Sequence, residues 1–284
     1  MNRKPVFLTV KDHSVSGEIF ELIQNPTYGY LETTPPPKKE KLQEYYKSED
    51  YISHTDSKRN LFEKVYHWVR VLALKKKVIL INSFHLESKN LLDVGCGTGD
   101  FLYMAKRNGW TVFGIEPNEK ARAIANSKTP NSVFEIEKLF SDLKEASFDV
   151  ITLWHVLEHL PQLENQIKNF QKLLKPNGVL IIAAPNFKSY DAKYYKEFWA
   201  AYDVPRHLWH FNRSSVSSLF SKMKMQVIKI KPMWFDAFYV SLLSEKYKTD
   251  KMNVIKGFYI GALSNLKALK TKEASSLIYI IKNI

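Results

Sequence analysis

The stretch Asp93-Val94-Gly95-Cys96-Gly97-Thr98-Gly99 constrains this chain more than any other part of it. Before it, Asn90-Leu91-Leu92-Asp93-Val94 reads as a buried parallel strand, and after it a helix is expected over Asp100–Asn108. Glycine at alternate positions permits a tight turn and lets a ligand approach the main chain without a β-carbon in the way. The helix N-terminus beyond offers unpaired N–H groups to an anionic part of that ligand. Glu116 ends the next expected strand, Thr111–Glu116, where a carboxylate can accept hydrogen bonds from two ribose hydroxyls. A glycine turn alone could merely join strand to helix; the coincidence of strand, turn, helix and acid favours a ligand site.

The pattern continues as alternating elements. Helices are expected over 119–128, 163–175 and 214–222, and strands over 133–137, 148–154, 178–184 and 226–231. Pro176-Asn177-Gly178 is expected to end the helix before it, and Ser276–Lys282 reads as a last strand. Such alternation predicts an α/β fold, a doubly wound sheet with helices on both faces. A largely helical stretch, about 236–273, is an insertion that this core does not require. Upstream, residues 5–34 alternate like small strands with Gly17 and Asn25-Pro26 as turn points. Residues 40–81 look helical, with Ser57 as N-cap and Leu61, Val65, Trp68 and Leu72 on one face. The expected organisation is a ribbon-like piece over 1–37, a helical lid over 38–89 and a ligand-binding domain over 90–284.

The spacing of the turn is GxGxG, not the GxGxxG of dinucleotide sites, and Asp93 stands two residues before its first glycine. A dinucleotide needs the helix end for its pyrophosphate. S-adenosylmethionine has no phosphate and presents an ammonium and a carboxylate, which suit Asp93 and the backbone N–H groups. At these residues, LLDVGCGTG with IEP after the next strand, followed by FDVITLWHVLEHL and LLKPNGVLIIAAPN, the chain resembles the class I S-adenosylmethionine-dependent methyltransferases. It is most similar to the group related to ubiquinone-biosynthesis O-methyltransferases. The resemblance spans roughly residues 90–231 and implies a Rossmann-like seven-stranded sheet, with Ser276–Lys282 inserted as an antiparallel strand. It also implies cofactor contacts from Asp93, Gly95, Cys96, Gly97, Gly99, Glu116, Pro117, Lys138, Trp154 and His155, with Cys96 a small filler and S-adenosylhomocysteine as product.

Trp154-His155-Val156-Leu157-Glu158-His159 follows a strand at the carboxyl edge, where open α/β sheets bind ligands. Pro205-Arg206-His207-Leu208-Trp209-His210 adds two histidines and an arginine. Methyl transfer needs a base only if the acceptor must lose a proton, and His155 or His207 is the expected one. Related groups carry an E-x-x-E-H arrangement that binds a divalent ion, but His155 stands where the first glutamate would be, so no metal is expected. Tyr45-Tyr46, Tyr51 and His54 resemble a segment that covers the cofactor, and Tyr46, Tyr51, His54, Arg206 and His210 are expected to face the acceptor. The aromatics of that segment, 45–54, could instead simply pack the helix onto the sheet. Where many relatives carry CxxCG in an N-terminal zinc ribbon, this chain has Asn25 and Tyr28; a metal-free remnant would lean on Phe7, Phe20, Tyr28 and Tyr30.

A single cysteine, Cys96, excludes an intramolecular disulfide and any multi-cysteine zinc site. No apolar run approaches a membrane span and no secretory signal is apparent, so a cytoplasmic protein with no membrane partner is expected. The formal charge of +13 is spread over many lysines and reads as a solvated basic surface, with nucleic acid a less favoured partner. The reading is therefore a methyltransferase acting on a small-molecule acceptor. Its rivals are an RNA or protein methyltransferase, and a binding module that has lost activity.

Overall fold

The computed structural model describes residues 5–38, 41–46, 61–86, 88–135 and 143–284. Three short strands open the chain, β1 (Val6–Lys11), β2 (Ile19–Gln24) and β3 (Leu31–Thr34), paired antiparallel in that order. Asn25 closes the β2–β3 turn: its Oδ1 accepts from the backbone N–H of Thr27 at 2.9 Å and of Tyr28 at 3.0 Å. Hydrogen bonds thus shape the turn at the two positions where a ribbon would carry cysteines. Phe20 and Tyr30 are buried, and Tyr28 stacks on Tyr30. Phe7, expected to help fill this piece, is instead half exposed and meets Phe187 only with its ring edge.

Helix α1 (Leu61–Asn82) leads to β4 (Asn90–Val94), α2 (Asp100–Arg107), β5 (Thr111–Ile115), α3 (Glu119–Lys128) and β6 (Val133–Phe134). Then come β7 (Phe148–Trp154), α4 (Leu163–Leu173), β8 (Leu174–Pro185) and α5 (Tyr190–Tyr195). The two-residue β9 (Trp209–His210), α6 (Arg213–Lys222), β10 (Met225–Pro232), α7 (Asp236–Thr249), α8 (Val254–Thr271) and β11 (Ser276–Asn283) complete the order. Seven strands form one sheet in the order β10-β11-β8-β7-β4-β5-β6. β11 lies antiparallel between β10 and β8, and the remaining pairs are parallel. This is the inserted terminal strand expected from Ser276–Lys282.

The core lies on both faces of the sheet, which is why β7 and β8 are near-continuous apolar runs. On one face Ile167, Phe170, Leu219 and Phe220 from α4 and α6 meet Leu92, Leu153 and Ile182. On the other, Val78 and Ile81 of α1 and Phe101, Leu102 and Ala105 of α2 cover Leu91, Val150 and Ile181. The α1 stripe differs from expectation: Trp68 is 63% exposed, and the buried seam runs through Val78 and Ile81, where the helix crosses the sheet. The side chains of Leu61 and Val65, and Ser57 entirely, lie outside the described residues.

Two other boundaries move. β8 starts at Leu174, not Gly178, because Leu174 already pairs with Phe148 of β7, leaving Pro176–Gly178 as an irregularity inside the strand. β6 has only two residues, and its expected continuation past Glu135 lies outside the described residues. The stretch 236–273 forms the helical hairpin of α7 and α8.

The N-terminal sheet is tied to the core by β9, whose His210 pairs with Leu31 of β3. Arg206 reinforces the tie: its Nη2 lies 2.9 Å from Asp12 Oδ1 and 2.7 Å from Asp203 Oδ1, and its Nη1 donates to the Tyr45 carbonyl. Burial alone would raise the Asp12 carboxyl, but Arg206 and the Ser16 backbone hold it well below the usual carboxylate range.

Candidate active site

The turn after β4 has the conformation its glycines predicted. Gly95, Gly97 and Gly99 adopt φ of 70°, 54° and 76°, the left-handed region that favours glycine. Their surroundings differ. A β-carbon on Gly95 would lie 2.5 Å from Val156 Cγ2, and one on Gly99 2.8 Å from Ala125 Cβ, so both let elements approach closely. Among the described residues, a β-carbon on Gly97 would meet nothing within 4 Å. Gly97 therefore presents bare main chain to open space, while its own N–H donates to Glu116 Oε2 at 2.9 Å. Glu116 Oε1 accepts from Asn118 N–H at 2.9 Å, and burial raises its carboxyl despite both bonds. Each carboxylate oxygen keeps a second lone pair for a ligand hydroxyl.

Asp93 sits under the same turn, 2% exposed, and accepts from Thr152 Oγ1 at 2.6 Å. Burial pushes it up to about 7, although Thr152 and the charge of Lys77 oppose that shift. Lys77 reaches in from α1, with its Nζ 4.3 Å from the centre of the Trp154 ring. Burial lowers its ammonium to about 8. The buried Trp154 Nε1 has no hydrogen-bond partner among the described residues. Cys96 fills space against Gly114, and burial together with Asp93 and Glu116 raises its thiol, which disfavours the thiolate. Pro117 is exposed beside Glu116, and Lys138 lies outside the described residues.

His155, with φ of 58°, caps β7 in a conformation unusual for a side-chain-bearing residue. Its ring lies between two carboxylates: Nε2 is 3.0 Å from Asp236 Oδ2 and Nδ1 is 3.5 Å from Glu158 Oε1. Burial alone would lower its pKa, but Asp236 and Glu158 outweigh this and push it up to about 10. At neutral pH His155 is an imidazolium with no lone pair to accept a proton. Held between two carboxylates, the ring favours its charged form, which weighs against the expected role as a base.

The segments around Glu158 and Arg206 do converge. Ligand atoms of Glu158, His159 and His207 all lie within 4.8 Å of one another. His159 Nδ1 faces the Arg206 carbonyl at 3.0 Å, and His207 Nδ1 faces the Ala201 carbonyl at 2.9 Å. Those acceptors assign a ring proton to Nδ1 in both. Burial and the His207 charge lower His159 to about 4, so it is neutral under ordinary conditions. Glu158 is fully buried, and among the described residues its oxygens make no hydrogen bond beyond the 3.5 Å approach of His155 Nδ1. A glutamate and two imidazoles, each braced by a carbonyl, form a donor set of the kind that holds a divalent cation.

Of the described residues expected to face an acceptor, only Tyr46 joins this group, its hydroxyl 3.2 Å from His159 Nδ1. Arg206 is consumed by its buried ion pairs, and His210 is buried with Nε2 3.0 Å from Thr33 Oγ1. Both tie the N-terminal sheet to the core, which corrects their expected placement. Tyr51 and His54 lie outside the described residues. Sequence reasoning missed Lys77 and Asp236, which come from elements far along the chain and carry no local signal.

A family model described as a methyltransferase domain matches residues 59–230, more than half of the chain. A ubiquinone biosynthesis O-methyltransferase of Coxiella burnetii is 34% identical over 112 residues, 37% of this chain and 48% of that protein. One from Pelagibacter ubique is 33% identical over 135 residues, 43% of this chain and 55% of that protein. The chain thus spans about half the length of the curated relatives it matches. Among solved structures, magnesium protoporphyrin IX methyltransferase from Synechocystis, with S-adenosylhomocysteine bound, aligns with a TM-score of 0.57 at 14% identity, covering 87% of this chain and 100% of that one. A SAM-dependent methyltransferase from Archaeoglobus fulgidus aligns with a TM-score of 0.53 at 18% identity, covering 78% and 98%. At such identities these two establish the Rossmann-like fold. With the turn, the acid after the second parallel strand and the inserted terminal strand all in place, the chain belongs to the methyltransferase domain family.

Proposed function

We propose that this protein transfers a methyl group from S-adenosylmethionine to a small-molecule acceptor, releasing S-adenosylhomocysteine. The observation that carries this reading is Gly97: a positive-φ residue facing open space, with its N–H held by a buried carboxylate that ends the next strand. When bound, the cofactor supplies an electrophilic methyl on a positively charged sulfur. Gly97 and the turn would hold its amino acid end, Asp93 the ammonium and Glu116 the ribose. Trp154 at the end of β7 would border the sulfur, and the clamped His155 would fix that edge of the crevice. Positioning and exclusion of water would then supply much of the rate.

His207 is the proposed proton acceptor, with its Nδ1 2.9 Å from the Ala201 carbonyl and a ring nitrogen in the cluster with Glu158 and His159. Tyr46 would cover the cluster from the N-terminal side. A second reading of the cluster rests on the convergence of Glu158, His159 and His207, whose ligand atoms lie within 4.8 Å of one another. Glu158, His159 and His207 would hold a divalent cation, which would supply a Lewis acid to an acceptor oxygen.

Incubation with methyl-labelled S-adenosylmethionine and a panel of phenols, catechols and amines tests the first reading. Labelled product that disappears in Glu116→Ala supports it. An absence of labelled product and of S-adenosylhomocysteine with every acceptor would favour a binding module. For the cation, titration calorimetry with Mg²⁺, Mn²⁺ and Zn²⁺ should show binding that Glu158→Gln removes; equal heats in both proteins would reject that reading.

A further inference from the structure

Helix α8 is apolar on the wrong side. The side it turns inward carries Gly257, Ile260, Gly261, Ser264 and Ala268, mostly small residues. They let α7 approach so closely that a β-carbon on Gly261 would lie 2.9 Å from the Ala237 carbonyl, and one on Gly257 2.9 Å from Leu242. The bulky apolar residues face outward. Ile255, Tyr259, Leu266 and Leu269 are 86%, 65%, 64% and 57% exposed. With Ala262 between them they recur every three or four residues, one continuous stripe along the helix. Isolated exposed apolar residues are ordinary, but a contiguous stripe marks a surface that something covers.

Charge decides what covers it. Between residues 251 and 272 the sequence has five lysines and no aspartate or glutamate. Lys251, Lys270 and Lys272 are exposed beside the stripe. At its C-terminal end the stripe runs into a groove of about 370 Å³, lined by Trp234, Leu277, Arg213 and Lys231 as well as Leu269 and Lys272. A second copy of a chain carrying +13 would bring like charges together across this face. Nucleic acid would satisfy the lysines but leave the stripe wet. An anionic bilayer satisfies both, since apolar side chains sink below the headgroups while flanking lysines meet the phosphates.

We infer that α8 lies on the surface of an anionic membrane, its outer stripe buried at the headgroup–acyl boundary. No described helix is long and apolar enough to cross a membrane, which fits a helix lying flat. The sequence reading set membranes aside because no spanning run exists, but an interfacial helix needs none.

Flotation of the full chain with vesicles tests this inference. One set is phosphatidylcholine alone and the other is three parts phosphatidylcholine to one part phosphatidylglycerol. Binding should be at least about tenfold stronger to the anionic set and should fall with added salt. The triple variant Ile255→Ser, Tyr259→Ser, Leu266→Ser changes exposed side chains only, and should keep its melting temperature but lose vesicle binding about tenfold or more. Lys251→Gln with Lys270→Gln should weaken binding by about fivefold per lysine at low salt. The inference is overturned if the wild-type chain fails to float with anionic vesicles, or if the triple variant floats equally well. Light scattering that shows a wild-type dimer dissolved by the triple variant, without vesicle binding, would make the stripe a self-association face and overturn it too. None of these readouts depends on methyl transfer.

Discussion

Gly97 and Gly99 share a backbone conformation but serve different ends, and substitution separates them. Alanine at Gly99 adds left-handed strain and places its β-carbon 2.9 Å from Ala125 Cα, a main-chain atom that cannot step aside. Gly99→Ala should lower unfolding free energy by about 2–4 kcal/mol in a denaturant titration. Gly97→Ala meets no neighbour, so it should cost only about 1–2 kcal/mol while weakening S-adenosylmethionine binding at least about tenfold. Equal stability losses with unchanged binding would show that Gly97 is only a connector. His155 carries a pH signature. Its folded pKa, about 10, stands above the ordinary 6.5, so its clamp contributes fully below pH 6.5 and fades as pH rises toward 10. Melting curves of the wild type and His155→Gln should converge at alkaline pH; a constant gap across that range would mean that His155 stays neutral in the fold. The glycine roles were legible because φ is a local property. The imidazolium was not, because Asp236 arrives from α7 and only tertiary structure brings it within 3.0 Å.

Among the elements, legibility followed periodicity and burial. β4, β7 and α3 lie where the sequence placed them, since each is a clean apolar run or a capped helix, with Asn118 accepting from Ala121 N–H at 3.0 Å. The start of β8 was misplaced because turn-forming Pro176-Asn177-Gly178 is overridden by pairing with β7. The stripe on α1 was misplaced because helical spacing alone does not say which part of a long helix crosses the sheet. β9 was invisible: two residues carry no pattern, yet they attach the N-terminal sheet to the core. Arg206 fastens that attachment, and Arg206→Ala would strand the buried Asp12 carboxylate. Unfolding free energy should drop by about 3–5 kcal/mol, a loss typical of breaking a buried pair from one side. A change below about 1 kcal/mol would mean that water or another cation reaches Asp12 readily.

At the scale of the whole molecule, the fold class and one half of the site were readable from order and spacing. The strand–turn–helix, the acid after the second parallel strand and the final inserted strand are successive in sequence and follow simple rules of α/β connection. The other half was only partly readable. Glu158, His159 and His207 were singled out as residues, but nothing in their spacing required their ligand atoms to fall within 4.8 Å. That convergence depends on the segment before β9 folding back over the carboxyl edge of the sheet. The central claim is that the crevice over Gly97 and Glu116 binds an adenosyl sulfonium, and titration calorimetry with S-adenosylmethionine and S-adenosylhomocysteine measures it directly. Saturable heats at micromolar ligand, abolished in Gly97→Arg and in Glu116→Ala variants that still melt cooperatively, are the predicted result. A folded wild-type chain that gives no heat at millimolar concentrations of either ligand would contradict it.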